Sequence, residues 1–368
     1  MEKFSTSSNS SITFEFNGKA DEYFRIWIVN ICLTILTLGL YWPWAKVRHK
    51  RYFYGSTRLA NSSFDYVANP WKMFKGQLIA LSLLAISGFV EHFFPSFVIL
   101  FWLIIIIALP WLVIRTLRFN AYNTLYRNIR FGFHSDYFTA LSTYILLPIL
   151  TLLSLGLASP WVVSKQKKFL VNNHRYGKSP FRLDIDAMDI LMIFVESSVF
   201  SVFLMGLAAV IFGIISLLMK VGGILDMNIL ASFDKILSDQ LGQQLESSIS
   251  LGVILLLFLL FIASVVVFND VTLFNLKWNK TKIANIQFRS QLKYIPMLRL
   301  YLTNILAILF SFGLLIPWAK IRVTRYRLES LSIMCSPEEL NGFTSNKEQA
   351  IGALGEELSD FLDVDIGM

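Results

Sequence analysis

The motif Gly-x-x-x-Pro-Trp occurs three times in this chain of 368 residues, and each copy is followed by a basic stretch. Aromatic residues also recur in register, so that Phe14, Phe131 and Phe288 occupy matching positions before the three copies. An internal repeat constrains the architecture before any single residue is interpreted, because each copy is expected to adopt a related local structure. The copies span residues 39–44, 156–161 and 313–318.

Each copy predicts an apolar helix, a sharp break and a cationic helix. Glycine takes the left-handed conformation that ends a helix, and proline suits the first turn of the next helix, where its missing N–H is no loss. Tryptophan suits the level of the lipid headgroups. The predicted hinge residues are Gly39, Pro43, Trp44, Gly156, Pro160, Trp161, Gly313, Pro317 and Trp318.

The composition indicates an integral membrane protein. Hydrophobic residues make up 55% of the chain and charged residues only 16%, whereas a soluble domain carries about 25% charged residues. A helix needs about 20 consecutive apolar residues to span a bilayer. Four segments meet this length, at about 74–94, 97–114, 190–218 and 249–268.

The distribution of basic residues decides between two topologies. If the repeated apolar helices (about 24–41, 138–158 and 297–316) also cross, the 33 Lys and Arg residues divide 15 to 18 between the two sides. If those helices enter and return on one side, the division is 31 to 2, with Lys220 and Lys235 alone on the far side. The positive-inside rule favours the second topology.

The sequence therefore predicts an all-α polytopic membrane protein with two transmembrane hairpins and three helix-hinge-helix units. Short β pieces, such as residues 12–16 and 62–66, are expected to pair across a unit at the cytoplasmic face, since open sheet edges do not occur in lipid. The predicted domains are units 1–70, 116–187 and 270–335, hairpins 71–115 and 188–269, and an acidic tail 336–368.

The helix after each hinge carries bases too densely to lie in hydrocarbon. Two interpretations are open: the bases fix the topology only, or they also bind anionic lipid headgroups. The candidate lipid-facing bases are Lys46, Arg48, Arg51, Lys165, Lys168, Lys320, Arg322 and Arg325.

Polar residues follow one face of each apolar helix of the repeat. Such a stripe in a membrane helix commonly packs against another helix through hydrogen bonds, and the alternative is a polar vestibule where the three stripes converge. The candidate residues are Asn30, Thr34, Thr37, Thr151, Ser154, Asn304 and Ser311.

Glu196 is an acidic residue inside the third long apolar segment. A carboxylate in a bilayer is costly and marks a functional candidate, but Glu196 lies only about two turns from Asp189 and so fits a position near the interface equally well. No catalytic motif, cofactor motif or metal-ligand spacing is present, and neither a cofactor nor enzymatic activity is expected.

Two further segments have a helical pattern. Apolar residues among Asp, Gln and Ser at 229–245 predict an amphipathic helix on the far side, which is expected either to lie on the outer membrane surface or to cap the bundle. The tail from Pro337 holds eight acids and one base, and it is expected either to dock on the cationic helices or to remain solvated.

Recognisable motifs lie in the first unit and at the C-terminal end, at residues 14–18, 27–30, 36–40, 43–48, 51–55, 355–357 and 361–368. These motifs resemble those of the YjgN family of bacterial inner-membrane proteins. The middle unit departs from the pattern, because Leu147 replaces the Asn and Val162-Val163 replaces Ala-Lys. The resemblance implies an inner-membrane location, and it supplies no catalytic residues to carry over because the family is one of unknown function.

The predicted function is non-enzymatic transport or binding of a small molecule or lipid, because transporters often share a repeat architecture. The alternative is a structural or sensory membrane module that engages anionic lipid or a partner through a basic cytoplasmic face. The expected partner is the lipid bilayer, with anionic headgroups as candidates, and no nucleic acid. The pattern leaves the substrate and the oligomeric state open.

Overall fold

Ten short strands form a closed antiparallel β-barrel in the computed structural model, which describes residues 10–229 and 237–335. Each strand pairs with its neighbours in chain order, and β1 closes the ring by pairing with β10. The strands are β1 Ser10–Phe16, β2 Thr57–Leu59, β3 Ser62–Tyr66, β4 Thr124–Tyr126, β5 Ile129–Phe133, β6 His174–Tyr176, β7 Ser179–Leu183, β8 Thr281–Ile283, β9 Ile286–Ser290 and β10 Leu331–Cys335.

Two-residue turns join the strands at one edge of the barrel. In the β2–β3 turn, Ala60 and Asn61 have φ values of 46° and 60°. In the β4–β5 turn, Arg127 and Asn128 have φ values of 47° and 60°. Two positive φ values in a two-residue loop are typical of a type I′ turn, whose twist matches that of the flanking strands.

Helices connect the strands at the opposite edge. Each odd-numbered strand leads into a helix, and each even-numbered strand follows one. A π-helical stretch at Ser142–Leu146 separates α5 from α6. The helices are α1 Ala20–Leu36, α2 Trp42–Ser56, α3 Pro70–Phe93, α4 Val98–Tyr122, α5 Tyr137–Leu141, α6 Leu147–Leu153, α7 Ser159–Asn172, α8 Ala187–Ile229, α9 Leu237–Asn279, α10 Tyr294–Phe310 and α11 Ile316–Glu329.

One backbone hydrogen bond joins the two ends of each of the five helical excursions. The amide that follows an odd strand donates to the carbonyl that precedes the next even strand. Both ends of every excursion therefore lie side by side at the same barrel edge. The bonds are Asn17 N to Ser56 O (2.9 Å), Val67 N to Asn123 O (2.9 Å), His134 N to Asn173 O (2.9 Å), Asp184 N to Lys280 O (3.1 Å) and Gln291 N to Ser330 O (3.0 Å).

The prediction of an all-α fold is wrong, because the ten strands close into a barrel. The two β pieces expected to pair with each other are β1 and β3, and β2 lies between them and pairs with both. Strands of three to seven residues give a weak sequence signal next to long helices. Closing the ring satisfies the edge groups that an isolated short hairpin would leave unpaired.

Four helices are long and apolar enough to cross a membrane, at Pro70–Phe93, Pro95–Tyr122, Ala187–Ile215 and Leu251–Asn279. They coincide with the four segments predicted from the sequence. By contrast, α1 and α10 have 17 residues each, which at 1.5 Å per residue is about 25 Å and shorter than a hydrocarbon core of about 30 Å.

The chain divides into two compact units. The barrel belongs to the first unit, whose described parts lie within residues 10–190, 274–292 and 304–335. The second unit comprises Leu191–Leu273 and Lys293–Thr303, and in it Asn269 Nδ2 donates to Ser197 Oγ at 2.8 Å. The predicted acidic tail lies outside the described residues, as does the centre of the predicted amphipathic segment, residues 230–236.

Candidate functional site

The odd-numbered strands each place one phenylalanine in the barrel interior. Successive side chains of a strand point to opposite faces, so a short strand offers one or two positions to the interior. The even-numbered strands fill the spaces between with aliphatic and tyrosine side chains, among them Leu59, Tyr126, Tyr176 and Ile283. The five phenylalanines are Phe14, Phe64, Phe131, Phe181 and Phe288.

These rings form a continuous aromatic wall. The centroids of Phe14 and Phe64 lie 6.3 Å apart, and those of Phe64 and Phe131 lie 6.5 Å apart. The series continues at 6.3 Å from Phe131 to Phe181 and at 6.2 Å from Phe181 to Phe288. Centroid separations of 4.5–7 Å are those of favourable aromatic pairs. Along the series from β1 to β9, each phenylalanine ring therefore contacts the ring of the next odd-numbered strand.

The wall encloses a cavity of about 410 Å³. Its helical end is lined by the last turns of three helices, through Phe53 and Tyr54 of α2, Trp278 of α9 and Leu328 of α11. An apolar cavity of about 150 Å³ holds one benzene molecule. By proportion, this cavity has room for an apolar ligand of about sixteen carbon atoms.

Three hydroxyl groups at the cavity wall donate to backbone carbonyls of the protein itself. The Tyr126 hydroxyl donates to the carbonyl of Leu59 at 2.7 Å, and the Tyr176 hydroxyl donates to the carbonyl of Tyr126 at 2.9 Å. The Thr57 hydroxyl donates to the carbonyl of Phe53 at 2.8 Å. Burial raises the pKa of both tyrosines, which keeps the phenols neutral. The wall is therefore apolar and uncharged.

The three predicted hinges have the same backbone geometry. The φ values of Gly39, Gly156 and Gly313 are 93°, 90° and 88°. In the first hinge the amide of Gly39 donates to the carbonyl of Thr34, and that of Leu38 to the carbonyl of Ile35. These two bonds form a Schellman motif, which ends the helix. The prolines Pro43, Pro160 and Pro317 stand in the first turn of the next helix and are buried.

A large apolar residue precedes each of these glycines and takes the left-handed conformation itself. Leu38, Leu155 and Phe312 have φ values of 50°, 51° and 50°. Their exposed fractions are 95%, 94% and 97%. We call the pairs Leu38-Gly39, Leu155-Gly156 and Phe312-Gly313 the three apices.

The tryptophans of the hinges pack beside cations or other rings. Trp44 meets Trp71 edge to face, with the ring centroids 5.0 Å apart. The ammonium of Lys165 lies 5.9 Å from the Trp161 ring, and the guanidinium of Arg322 lies 4.3 Å from the Trp318 ring.

The predicted polar stripes bond within their own helix pairs. Asn30 donates to the carbonyl of Ala45, and Asn304 donates to that of Ala319, both at 3.4 Å. The hydroxyls of Thr37, Ser154 and Ser311 each accept from the amide four residues further on, at 3.0 Å, and so cap the hinge. Thr34 and Thr151 donate to the carbonyls of Asn30 and Leu147.

Seven of the eight candidate bases have bonds or ring contacts within the protein, among them Arg48, whose guanidinium lies 5.7 Å from the Tyr41 ring, and Lys165, whose contact with Trp161 is described above. Arg51 donates to the carbonyl of Tyr66, Arg322 to Asn304 and Arg325 to the carbonyl of Gly18. Lys168 pairs with Asp186 at 3.4 Å, and Lys46 lies 4.7 Å from the Trp42 ring. Burial lowers the pKa of Lys46. The side chains of Arg48, Lys165 and Lys320 are exposed.

Glu196 lies in α8 within the third candidate span, and its side chain is exposed. The adjacent Ser197 is buried and accepts the hydrogen bond from Asn269 described above. Within residues 10–229 and 237–335, no group of three or more His, Cys, Asp or Glu side chains is placed to hold a metal ion.

The aromatic wall was not predicted as a site, although the sequence carries a signal for it. Four two-residue turns, at 60–61, 127–128, 177–178 and 284–285, are each followed three residues later by a phenylalanine. Two short apolar runs separated by two turn residues indicate a β-hairpin. Comparing all four ten-residue segments would have found the hairpins, because each has the same turn spacing and the same inward ring.

Four apolar helices are long enough to span a membrane, and they connect strands of the closed β-barrel. This combination defines the class as a polytopic membrane protein. Residues 11–361 match the family described as "Bacterial protein of unknown function (DUF898)". The chain belongs to this family.

Curated relatives are named "Inner membrane protein YjgN". The one from Salmonella typhimurium (strain LT2) is 32% identical over 152 residues, which is 41% of this chain and 38% of the relative. The one from Escherichia coli O157:H7 is 31% identical over 147 residues, which is 40% of this chain and 37% of the relative. The chain thus aligns with less than half the length of these relatives. No solved structure matches the chain significantly.

Proposed function

We propose that this inner-membrane protein binds an apolar molecule of the lipid class in the barrel interior and holds it without chemical conversion. The observation that carries the proposal is the cavity of about 410 Å³ with its wall of five phenylalanines. Ligand sites are commonly concave, apolar and about 300–1,000 Å³ in volume. A wall without unpaired charge favours hydrocarbon over a polar solute.

The energetics suit reversible exchange with a bilayer. Taking an acyl chain out of water stabilises it by about 0.8 kcal/mol per methylene, but a chain already in a bilayer gains little further from an apolar cavity. Its preference for the barrel then depends on how well it packs against the rings. A binding free energy close to that of the bilayer allows the ligand both to enter and to leave, as a carrier requires.

The hydrogen bonds of the wall support binding rather than catalysis. The hydroxyls of Thr57, Tyr126 and Tyr176 are all donated to backbone carbonyls. General acid–base chemistry needs a titratable group within hydrogen-bond reach of the reacting atom. The residues of the wall supply rings and aliphatic side chains at the positions where a ligand would lie.

Filling the cavity tests the proposal. Ile283 is 4% exposed and lines the cavity, whereas the adjacent Lys282 is exposed on the outer face of the same strand. We expect the full chain in detergent to bind a fluorescent polyene fatty acid. Ile283→Trp should abolish that binding, and the control Lys282→Trp should retain it.

Size-exclusion elution and the unfolding midpoint establish that both variants are folded. If Ile283→Trp does not fold, the smaller filling substitution Leu331→Phe takes its place. Equal binding by a folded, filled variant and by its control would contradict the proposal, because the probe would then lie elsewhere.

The three apices favour a second candidate function, a membrane module that inserts apolar tips on the same side as the barrel. A left-handed conformation costs a non-glycine residue about 1–2 kcal/mol, yet Leu38, Leu155 and Phe312 adopt it with their side chains exposed. Burying such a side chain stabilises it by about 1.5–3 kcal/mol, which offsets the strain if the tip lies in lipid. The charge division of 31 to 2 supports a cytoplasmic position for the barrel.

Depth-dependent fluorescence quenching tests this candidate. A fluorophore attached at position 38, 155 or 312 should be quenched by lipid-borne nitroxides in vesicles. The control fluorophore, attached at Asn61 or Asn128 in the barrel turns, should be quenched only by water-soluble agents. Quenching of the apices by the soluble agents alone would contradict insertion.

A further inference from the structure

A second pocket, of about 730 Å³, lies at the barrel ends of the first transmembrane hairpin. Lys72 comes from the first turn of α3, Arg115 and Arg118 from the last two turns of α4, and Arg130 from β5. Among the described residues that line this pocket, none is Asp or Glu. Four cations converge on a space large enough for a ligand, and this arrangement favours an anion.

Aromatic rings hold two of the cations in place. The Arg130 guanidinium stacks on the Tyr122 ring at 4.4 Å and donates to the Tyr122 carbonyl at 3.0 Å. The guanidinium of Arg115 lies 5.0 Å from the Trp111 ring. Rigid guanidinium groups are suited to bidentate recognition of phosphate oxygens.

The acid nearest in sequence to the pocket is engaged elsewhere. Asp136 stands between two lining residues, Ser135 and Tyr137, but its carboxylate accepts from the amide and the hydroxyl of Thr139 at 2.9 Å and 2.7 Å. It therefore caps α5. The charges of Arg175 and Arg118 add to burial in lowering the pKa of His134, the residue that follows β5.

The second transmembrane hairpin supplies an internal comparison. The backbone bond from Val67 to Asn123 closes the first hairpin, and the bond from Asp184 to Lys280 closes the second in the same way. Aligning Val67 with Asp184 and Asn123 with Lys280 gives the register between the two hairpins. In that register Asp189, Asn275 and Gln287 stand where the first hairpin has Lys72, Arg118 and Arg130. The same place in the topology therefore does not require cations at these three positions.

The surroundings identify the source of the anion. The two helices that supply Lys72, Arg115 and Arg118 are candidate membrane spans, and the pocket lies at their ends. Trp71 is 60% exposed and Trp111 is 45% exposed, and tryptophan concentrates at the membrane–water interface. We propose that this pocket binds the phosphate headgroup of an anionic phospholipid from the adjacent leaflet. The pocket shares no lining residue with the barrel cavity and does not depend on the function proposed for that cavity.

Native mass spectrometry of the full chain, released from micelles, tests the site. The probes are phosphatidylglycerol, phosphatidylcholine and inorganic phosphate. The wild type should retain phosphatidylglycerol in preference to phosphatidylcholine. Each base contributes roughly fivefold to the affinity for an anionic surface, so Arg115→Gln with Arg118→Gln should weaken phosphatidylglycerol binding by roughly 25-fold.

A control of equal charge separates this site from general surface charge. Lys282 and Arg289 are exposed on β8 and β9 and do not line the pocket, so Lys282→Gln with Arg289→Gln should leave phosphatidylglycerol binding unchanged. Equal losses in the two double variants would overturn the proposal. Competition by inorganic phosphate at the concentration of the lipid would overturn the lipid source, because a free anion would then suffice. If the first double variant does not fold, Arg118→Gln alone should weaken binding about fivefold.

Discussion

The asparagines Asn30 and Asn304 form a matched pair, and replacement by leucine should destabilise the protein at Asn304 but not at Asn30. Both are buried, at 7% and 4% exposure, and both donate to a carbonyl of the partner helix at 3.4 Å. Their Oδ1 atoms differ. That of Asn304 accepts from Arg322 at 2.8 Å, whereas that of Asn30 is buried with no hydrogen-bond partner among the described residues.

The magnitudes follow from these contacts. A hydrogen bond to a charged group contributes about 1.5–3 kcal/mol. The larger apolar side chain offsets part of that loss, so Asn304→Leu should destabilise the protein by about 1–2 kcal/mol. An unsatisfied buried acceptor costs about 1–3 kcal/mol. Asn30→Leu removes that cost along with one long bond, so its effect should lie between zero and about 1 kcal/mol of stabilisation.

The assay is reversible unfolding of the full chain in mixed micelles, followed by tryptophan fluorescence. A double-mutant cycle of Asn304→Leu with Arg322→Met should give a coupling of at least about 1 kcal/mol. The cycle is needed because Arg322 also lies over the Trp318 ring. Equal destabilisation by the two Asn→Leu variants, or a coupling near zero, would refute the argument.

Two further predictions concern α2 and its hinge. Burial, together with the charges of Lys320 and Lys50, lowers the pKa of His49 from 6.5 to about 4. As the pH falls below 6.5, His49 is protonated in the unfolded chain before it is protonated in the folded protein. The free energy of unfolding should therefore decrease as the pH drops from 6.5 toward 4. After allowance for solvent screening, the decrease should be roughly 1–2 kcal/mol. His49→Phe should flatten that pH profile of the unfolding midpoint, and an unchanged slope would contradict the burial argument. Gly39→Ala should destabilise the folded protein by about 1 kcal/mol. The cause is the φ of 93° alone, since nothing lies within 4 Å of the added Cβ. In the same unfolding assay, the control Gly55→Ala in α2 should be neutral or stabilising.

Sequence patterns were sufficient to predict the helical part of the fold. The four spanning helices follow from length and hydropathy, and the breaks at Gly39, Gly156 and Gly313 follow from local turn chemistry. These features depend on residues close together in the chain. The same-side return of each helix pair followed from the charge distribution, and the five bonds between strand ends agree with it.

The barrel could not be predicted in the same way, because its pairings are non-local. Ser10 pairs with Cys335 near the other end of the described chain, and β7 pairs with β8 across the whole of α8 and α9. A strand such as Thr57–Leu59 has too few residues to show alternation. The turn spacing before four of the phenylalanines is a local signal for hairpins, but the interior forms only when the non-local pairings bring all five rings together.

The cationic pocket was missed for a related reason. Its bases lie in three elements that are separated in sequence, and the positive-inside rule already gave an explanation for them. Conversely, several bases selected from the dense run after each hinge bond within the protein, as Arg325 does to the carbonyl of Gly18. Charge density along the chain therefore did not single out the bases that line this pocket.

Cysteine-accessibility mapping tests the central claim, that all five helix pairs return to one barrel on one side of the membrane. Single cysteines at positions 20, 60, 135, 175, 290 and 330 lie in the strands, in their turns or at the adjoining helix ends. In sealed, oriented inner-membrane vesicles, an impermeant maleimide should label all six from the same side. Labelling that alternates between the two sides from one position to the next would contradict the closed barrel and require additional membrane crossings.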